Sequence, residues 1–233
     1  MTLKISQDMR SEIIRYCLRM DAKGWVANHD GNISVRLPAL EGERFAATPT
    51  ARAKFSLEED DLIEVGADGK KVAGNGGVFS EISVHLRIFS ARRDVQAVVH
   101  AHCPSAMAVG CANQELMTSA VPEAVVSLGP GVPLVGLALP GSNEIWAELD
   151  PLLPHYDAVM IGGNGVFAWG KNLEQAFLRL ELVEHVAKIC LESLPLGGPR
   201  MLSPEQVAKL LKKRAEAGLG LPPDPARPLW YPA

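Results

Sequence analysis

Between Ser6 and about Ala22 the apolar positions Met9, Ile13, Cys17 and Met20 recur at helical spacing, and Ser6 is placed to cap them. The pattern then changes to short apolar runs between turn residues. Asn28-His29-Asp30-Gly31-Asn32 is a Gly-containing turn, Ile33 to Leu37 a strand, and a further strand ends at Ala46-Ala47 before Thr48-Pro49-Thr50. Ser56 to Asp61 fits a one-turn helix with acids at its positive end, Leu62 to Val65 a strand, and Asp68-Gly69 a turn. Ser80 to Arg92 reads as a helix capped by Ser80, with Val84, Ile88 and Phe89 as its apolar stripe. Val95-Gln96-Ala97-Val98-Val99 is a buried strand that closes on His100-Ala101-His102.

Further along, Pro104 to Cys111 fits a helix with Pro in its first turn, Val132 to Leu139 a strand, and Ser142 to Leu153 a helix capped by Ser142. Ala158 to Ile161 and Val166 to Trp169 are strands joined by Gly162-Gly163-Asn164-Gly165, in which Asn164-Gly165 is a hairpin signal. Leu173 to about Leu194 is the longest helical pattern, with Ala176, Leu180, Val183, Ala187 and Cys190 along one face, and Pro195 to Pro199 ends it. Pro204 to Ala217 is a Lys-rich amphipathic helix. The Pro- and Gly-rich tail from Gly218, with Trp230 and Tyr231, cannot build its own core, which leaves disorder and docking on a neighbouring subunit as its two alternatives. No internal repeat is visible, so residues 1–200 are expected to form one domain, with 201–233 as its C-terminal helix and Pro-rich tail.

Composition narrows the function classes. The 233 residues are 47% hydrophobic, enough for one sizeable α/β core. A formal net charge of −4 gives no basic excess for nucleic acid. No apolar run is long enough to span a bilayer and the N-terminus lacks an apolar signal core, so a soluble cytoplasmic protein is expected. Cys17, Cys103, Cys111 and Cys190 have no CxxC spacing and read as free thiols.

His100 and His102 carry the chemistry. Residues i and i+2 of a strand share a face, so two imidazoles point the same way from the end of a rigid element. This is half of a transition-metal site, or else a chance pair in the core. Glu81 adds to the first reading. A helix of about a dozen residues followed by a strand of six to eight brings the chain back to its starting level, where Glu81 can meet the histidines. A carboxylate there can ligate a metal or act as general base; the alternative is an acid that merely favours the helix dipole.

The stretch Ser80-Glu81-Ile-Ser-Val-His85, Arg93-Asp94-Val95 and Val98-Val99-His100-Ala-His102 resembles the signature of the class II aldolase/adducin family. Gly31-Asn32-Ile33-Ser34, Thr48-Pro49-Thr50, Asp61-Leu62-Ile63-Glu64-Val65 with Asp68-Gly69, and the unit from Asp157 to Gly170 resemble further family elements, in order from about residue 6 to 193. The resemblance implies an α/β fold of three layers: a central mixed, largely antiparallel sheet flanked by helices. It implies a homotetramer with sites at subunit interfaces, and a divalent metal, zinc first with manganese or cobalt as alternatives. His100 and His102 would be ligands and Glu81 the group that takes or returns a proton. The implied activity is a carbon–carbon lyase of aldolase type, acting on a small polar carbonyl or hydroxy-acid substrate through a metal-stabilised enediolate. Decarboxylation or epimerisation on the same scaffold is one alternative, and a metal-free, non-catalytic adducin-like scaffold another.

Two departures from the family pattern bear on the site. Asn164 stands where the family has a third histidine ligand, and Asn is a poor zinc ligand. His155 lies over ~15 Å along the strand from that turn and is rejected. His29 reads as an exposed loop residue and His85 as structural. The strand after the turn runs away for roughly 13 Å and the long helix returns at about 1.5 Å per residue, so it regains that level near residues 181 to 185. His185, beside Glu181 and Glu184, is therefore the candidate third ligand, with Asn164 or water as alternatives. Phe79 and Ala51 replace family residues that contact a substrate phosphate. Asn32, Thr50 and Ser80 remain as candidate substrate-binding groups, and an unphosphorylated or carboxylate-bearing substrate is favoured.

Overall fold

A computed structural model describes residues 5–38, 42–137 and 144–220. The chain forms α1 (Gln7–Ala22), β1 (Asn32–Arg36), β2 (Arg44–Ala47), β3 (Ile63–Gly66), β4 (Lys71–Ala73), α2 (Ile82–Ala91), β5 (Ala97–Ala101), α3 (Pro104–Cys111), β6 (Leu116–Met117), α4 (Pro122–Leu128), β7 (Gly131–Val132), β8 (Leu134–Val135), α5 (Trp146–Leu149), β9 (Ala158–Ile161), β10 (Gly165–Gly170), α6 (Leu173–Ser193) and α7 (Pro204–Glu216). The fold is a mixed eight-stranded sheet flanked by helices, with β6 and β7 paired separately.

The chain divides into two compact units, and the first holds the described residues up to His102 together with Ala168–Phe177. Here β1 pairs antiparallel with both β2 and β5, β2 with β3, and β3 with β4. The end of β10 joins the same side, with Gln96 N–H donating to the Gly170 carbonyl at 2.8 Å. Ser6 caps α1 by accepting from Met9 N–H, as its position before an apolar-periodic run requires. The buried stripe of α1 (Ile13, Tyr16, Cys17, Met20) covers the sheet, where the Tyr16 ring lies 4.8 Å from Phe177. On β2 and α2, Phe45 and Phe89 stack at 4.5 Å, and the Arg36 guanidinium lies over both rings while donating to the Phe89 carbonyl.

The second unit holds residues 103–137, 144–167 and 178–220 among those described. Its strands β8 and β9 run parallel, which makes the sheet mixed. α3 begins at Pro104, whose missing N–H costs nothing in a first turn, and the Glu184 carboxylate of α6 accepts from Ser105 and Ala106 N–H. Ser203 and Gln206 close a capping box on α7. That helix packs on α4 through buried Arg214, which donates to the Val126 and Ser127 carbonyls and to Asp157. No described helix is long and apolar enough to cross a membrane.

Several expected boundaries move. Ser80 is an exposed turn residue; Glu81 takes the cap position of α2, because the Glu81 carbonyl accepts the first helical bonds from Val84 and His85. The expected one-turn helix at Ser56–Asp61 becomes two 3-10 turns, Lys54–Ser56 and Glu59–Asp61, separated by the extended backbone of Leu57 and Glu58. Pro133 cannot donate to a ladder, and the expected strand from Val132 splits there into β7 and β8, which pair with different partners. The helix expected from Ser142 is seen only as the short α5; Ser142 itself, Leu139 and the tail with Trp230 and Tyr231 lie outside the described residues.

Candidate active site

Six of the seven residues proposed from sequence lie in the first unit and line one cleft of about 170 Å³: Asn32, Thr50, Ser80, Glu81, His100 and His102. His100, next to last in β5, lies opposite Asn32 of β1, so the register of that strand pair sets both residues at the same end of the two strands. His102 lies just past the strand end, where its N–H donates to the Trp25 carbonyl at 3.0 Å. The two imidazoles meet edge to face at 5.1 Å, with His100 buried and His102 about one-quarter exposed.

Glu81 makes no side-chain bond to the turn of α2 that it opens. Its carboxylate instead faces Asn32, whose Nδ2 donates to Oε2 at 3.5 Å. The buried Asn32 Oδ1 has no hydrogen-bond partner among the described residues. A buried acceptor left unmatched costs about 1–3 kcal/mol. Phe79 forms an apolar wall and stands edge-on to His85 at 5.1 Å. His85 is not part of the cleft lining; it lies behind, within 2.6 Å of Ser34 Oγ, and burial pushes its imidazole down to about 3.

Sequence reasoning missed Asp30 and Lys54. Asp30 lines the cleft and brings Oδ2 to 3.4 Å from His102 Nδ1. Lys54 is buried, its Nζ donating to the carbonyls of His29 (3.4 Å) and Arg52 (3.3 Å). Burial lowers its pKa, and the nearby Cys17, Asp30 and Glu81 oppose that shift. The only signal for Lys54 was a cation inside a short segment rich in turn residues. His185 lies on the exposed side of α6 in the second unit, and Asn164 is a buried residue of the β9–β10 turn.

His100 and His102, with exposed His29 and the carboxylates of Asp30 and Glu81 on the same cleft lining, form a nitrogen and oxygen donor set of the kind that zinc, manganese or cobalt accepts. Among the described residues no three His, Cys, Asp or Glu side chains already converge as a coordination shell. The donors in place fit part of a metal centre.

Two imidazoles from the end of β5 and a carboxylate from the start of α2 thus line one small cleft, an arrangement suited to a small-molecule enzyme. Residues 11–191 match the class II aldolase and adducin N-terminal domain, and the chain belongs to that family. It is 27% identical over 207 residues to 5-deoxy-D-ribulose 1-phosphate aldolase of Bacillus thuringiensis serovar kurstaki, covering 89% of this chain and 95% of that protein. It is 28% identical over 190 residues to 3-oxo-tetronate 4-phosphate decarboxylase of Escherichia coli K12, covering 80% and 87%. Among solved structures, an L-fuculose 1-phosphate aldolase superposes with a TM-score of 0.80 at 27% identity, covering 90% of this chain and 97% of that one.

Proposed function

We propose that this protein is a metal-dependent carbon–carbon lyase of aldolase type for a small polar carbonyl or hydroxy-acid substrate. The observation that carries the proposal is the cleft that Glu81, Asn32, His100 and His102 share. His100 and His102 would hold a divalent ion, zinc first with manganese or cobalt as alternatives, and His185 is the third ligand argued from the sequence. When bound, the ion supplies Lewis-acid polarisation of the substrate carbonyl. Glu81 exchanges the proton that aldol chemistry adds to or removes from the carbon beside that carbonyl. Asn32 Nδ2 orients the carboxylate, and Asn32 Oδ1 accepts from a substrate hydroxyl. Thr50 and Ser80 line the cleft mouth as exposed hydroxyl donors. The apolar Phe79 wall favours a substrate end without phosphate.

The same groups serve decarboxylation, a reading that the resemblance to a named decarboxylase supports. A homotetramer with sites at subunit interfaces, in the cytoplasm, completes the proposal.

The test follows hydrogen–deuterium exchange by NMR at the carbon next to the carbonyl of dihydroxyacetone, its phosphate, hydroxypyruvate and pyruvate. Zinc, manganese and cobalt are each added in turn. Exchange that requires metal is expected, with Glu81→Gln slower by about 10²–10⁴-fold while its metal content is unchanged. Absence of both metal binding and exchange would favour the scaffold reading. Loss of metal in His185→Ala is expected; full metal content and activity in that variant would remove His185 from the ligand set.

A further inference from the structure

The turn that carries Asp30 is built more firmly than an exposed loop needs. Asn28 and Gly31 both take left-handed backbone, with φ of 53° and 70°, and Asp30 N–H bonds back to the Ala27 carbonyl at 2.9 Å. Gly31 passes so close to β5 that a Cβ there would lie 2.9 Å from the His100 carbonyl oxygen and 2.7 Å from Val26 Cγ1. Only glycine allows both the positive φ and this approach. On the other side of the turn, buried Lys54 holds the His29 carbonyl. Trp25, at the entry to the same turn, takes the His102 N–H. The Asp30 carboxylate and the His102 ring are thus fixed to one frame. Their facing atoms are Oδ2 and Nδ1, 3.4 Å apart, with both side chains only partly exposed (34% and 26%).

A neutral imidazole carries one proton, and the nitrogen without it is the one with a lone pair for a ligand. A carboxylate only accepts, so a carboxylate beside Nδ1 draws the proton to that nitrogen. We propose that Asp30 is the positioning residue of His102: it keeps the proton on Nδ1 and turns the Nε2 lone pair into the cleft. This rests on the metal-dependent reading for its purpose, though not for its geometry. Carboxylates in this role fix the tautomer and ring orientation of a ligating histidine and raise its basicity.

The test has two arms. The first uses metal-free protein at about pH 8, above the ordinary imidazole range. Nitrogen-15 NMR of the His102 ring is compared in wild type, Asp30→Asn and Asp30→Ala, with thermal melting as a check that each is folded. The wild type is expected to carry the proton on Nδ1. Asp30→Asn offers an amide N–H to Nδ1 and is expected to move the proton to Nε2; Asp30→Ala should give a mixture. An unchanged tautomer in both variants overturns the proposal. The second arm measures zinc and cobalt affinity by competition with a chromophoric chelator. A loss of about 10–100-fold is expected in Asp30→Asn. If wild type binds metal and Asp30→Asn binds it equally well, the positioning role is wrong and the aldolase reading stands. If wild type binds no metal, the aldolase reading falls, and the tautomer arm alone decides what Asp30 does.

Discussion

At the residue scale, burial separates the histidines by role. His100 and His102 line the cleft, while His85 is enclosed between α2 and β1 and stays uncharged because burial holds its pKa at about 3. The sign of the linkage follows. The unfolded chain takes up a proton near pH 6.5, the ordinary imidazole value, and the native state refuses it until about pH 3. Stability from His85 is therefore intact above that range and is lost as pH falls from 6.5 towards 3, by up to ~1.4 kcal/mol per pH unit. Urea midpoints measured across this window should fall for wild type, and part of the slope should disappear in His85→Gln. Equal slopes in the two proteins would show that another group sets the acid limit.

Residue types and spacing pointed to His100, His102 and Glu81 because one helix–strand return brings them to one level, and all three line the same cleft, although His102 lies just past the strand. Asp30 and Lys54 were not legible in that way. Their roles depend on how the turn before β1 and the segment after β2 fold against each other, and no periodicity records such a contact. The orphaned acceptor of Asn32 is likewise visible only once β1 and β5 are in register.

At the scale of elements, most helices follow their apolar stripes, and α1, α3 and α7 match the expected spans within a residue or so. The cap expected at Ser6 is observed, its side chain accepting from Met9 N–H. Ser80 fails as a cap because the chain enters α2 through a turn in which Ile82 N–H bonds the Phe79 carbonyl, so helical geometry starts one residue later. β4, β6 and α4 were missed; each is two to seven residues long and lacks enough length to express a period. The docking of α7 was equally hidden, since it involves a buried cluster of ions from distant parts of the chain. Asp157 accepts from Arg214 at 2.5 Å and from Arg179 at 2.9 Å, all three nearly inaccessible. Arg214→Met should cost about 3 kcal/mol in reversible denaturation, near the lower bound for breaking a buried pair because Arg179 remains on Asp157. A cost below about 0.5 kcal/mol would mean that α7 is held by its apolar face alone.

At the scale of the whole molecule, a chain of 233 residues supplies a cleft of about 170 Å³ lined mostly by polar residues, with Phe79 and Pro49 as apolar ones. That size suits a substrate of a few carbons. The proposed homotetramer would give sedimentation equilibrium a mass four times the 25.0 kDa of the chain. A monomer that still exchanges substrate protons would show that one chain holds every group the chemistry needs.

On the proposed reading, His100 and His102 bind a catalytic divalent ion beside Glu81. Anomalous diffraction from crystals grown with zinc, collected on both sides of the zinc edge, tests it most directly. The account predicts one strong peak at the His100 and His102 imidazoles, facing the Glu81 carboxylate, with the third ligand visible in the same map. No peak at those imidazoles, or a peak held by other residues alone, would contradict it.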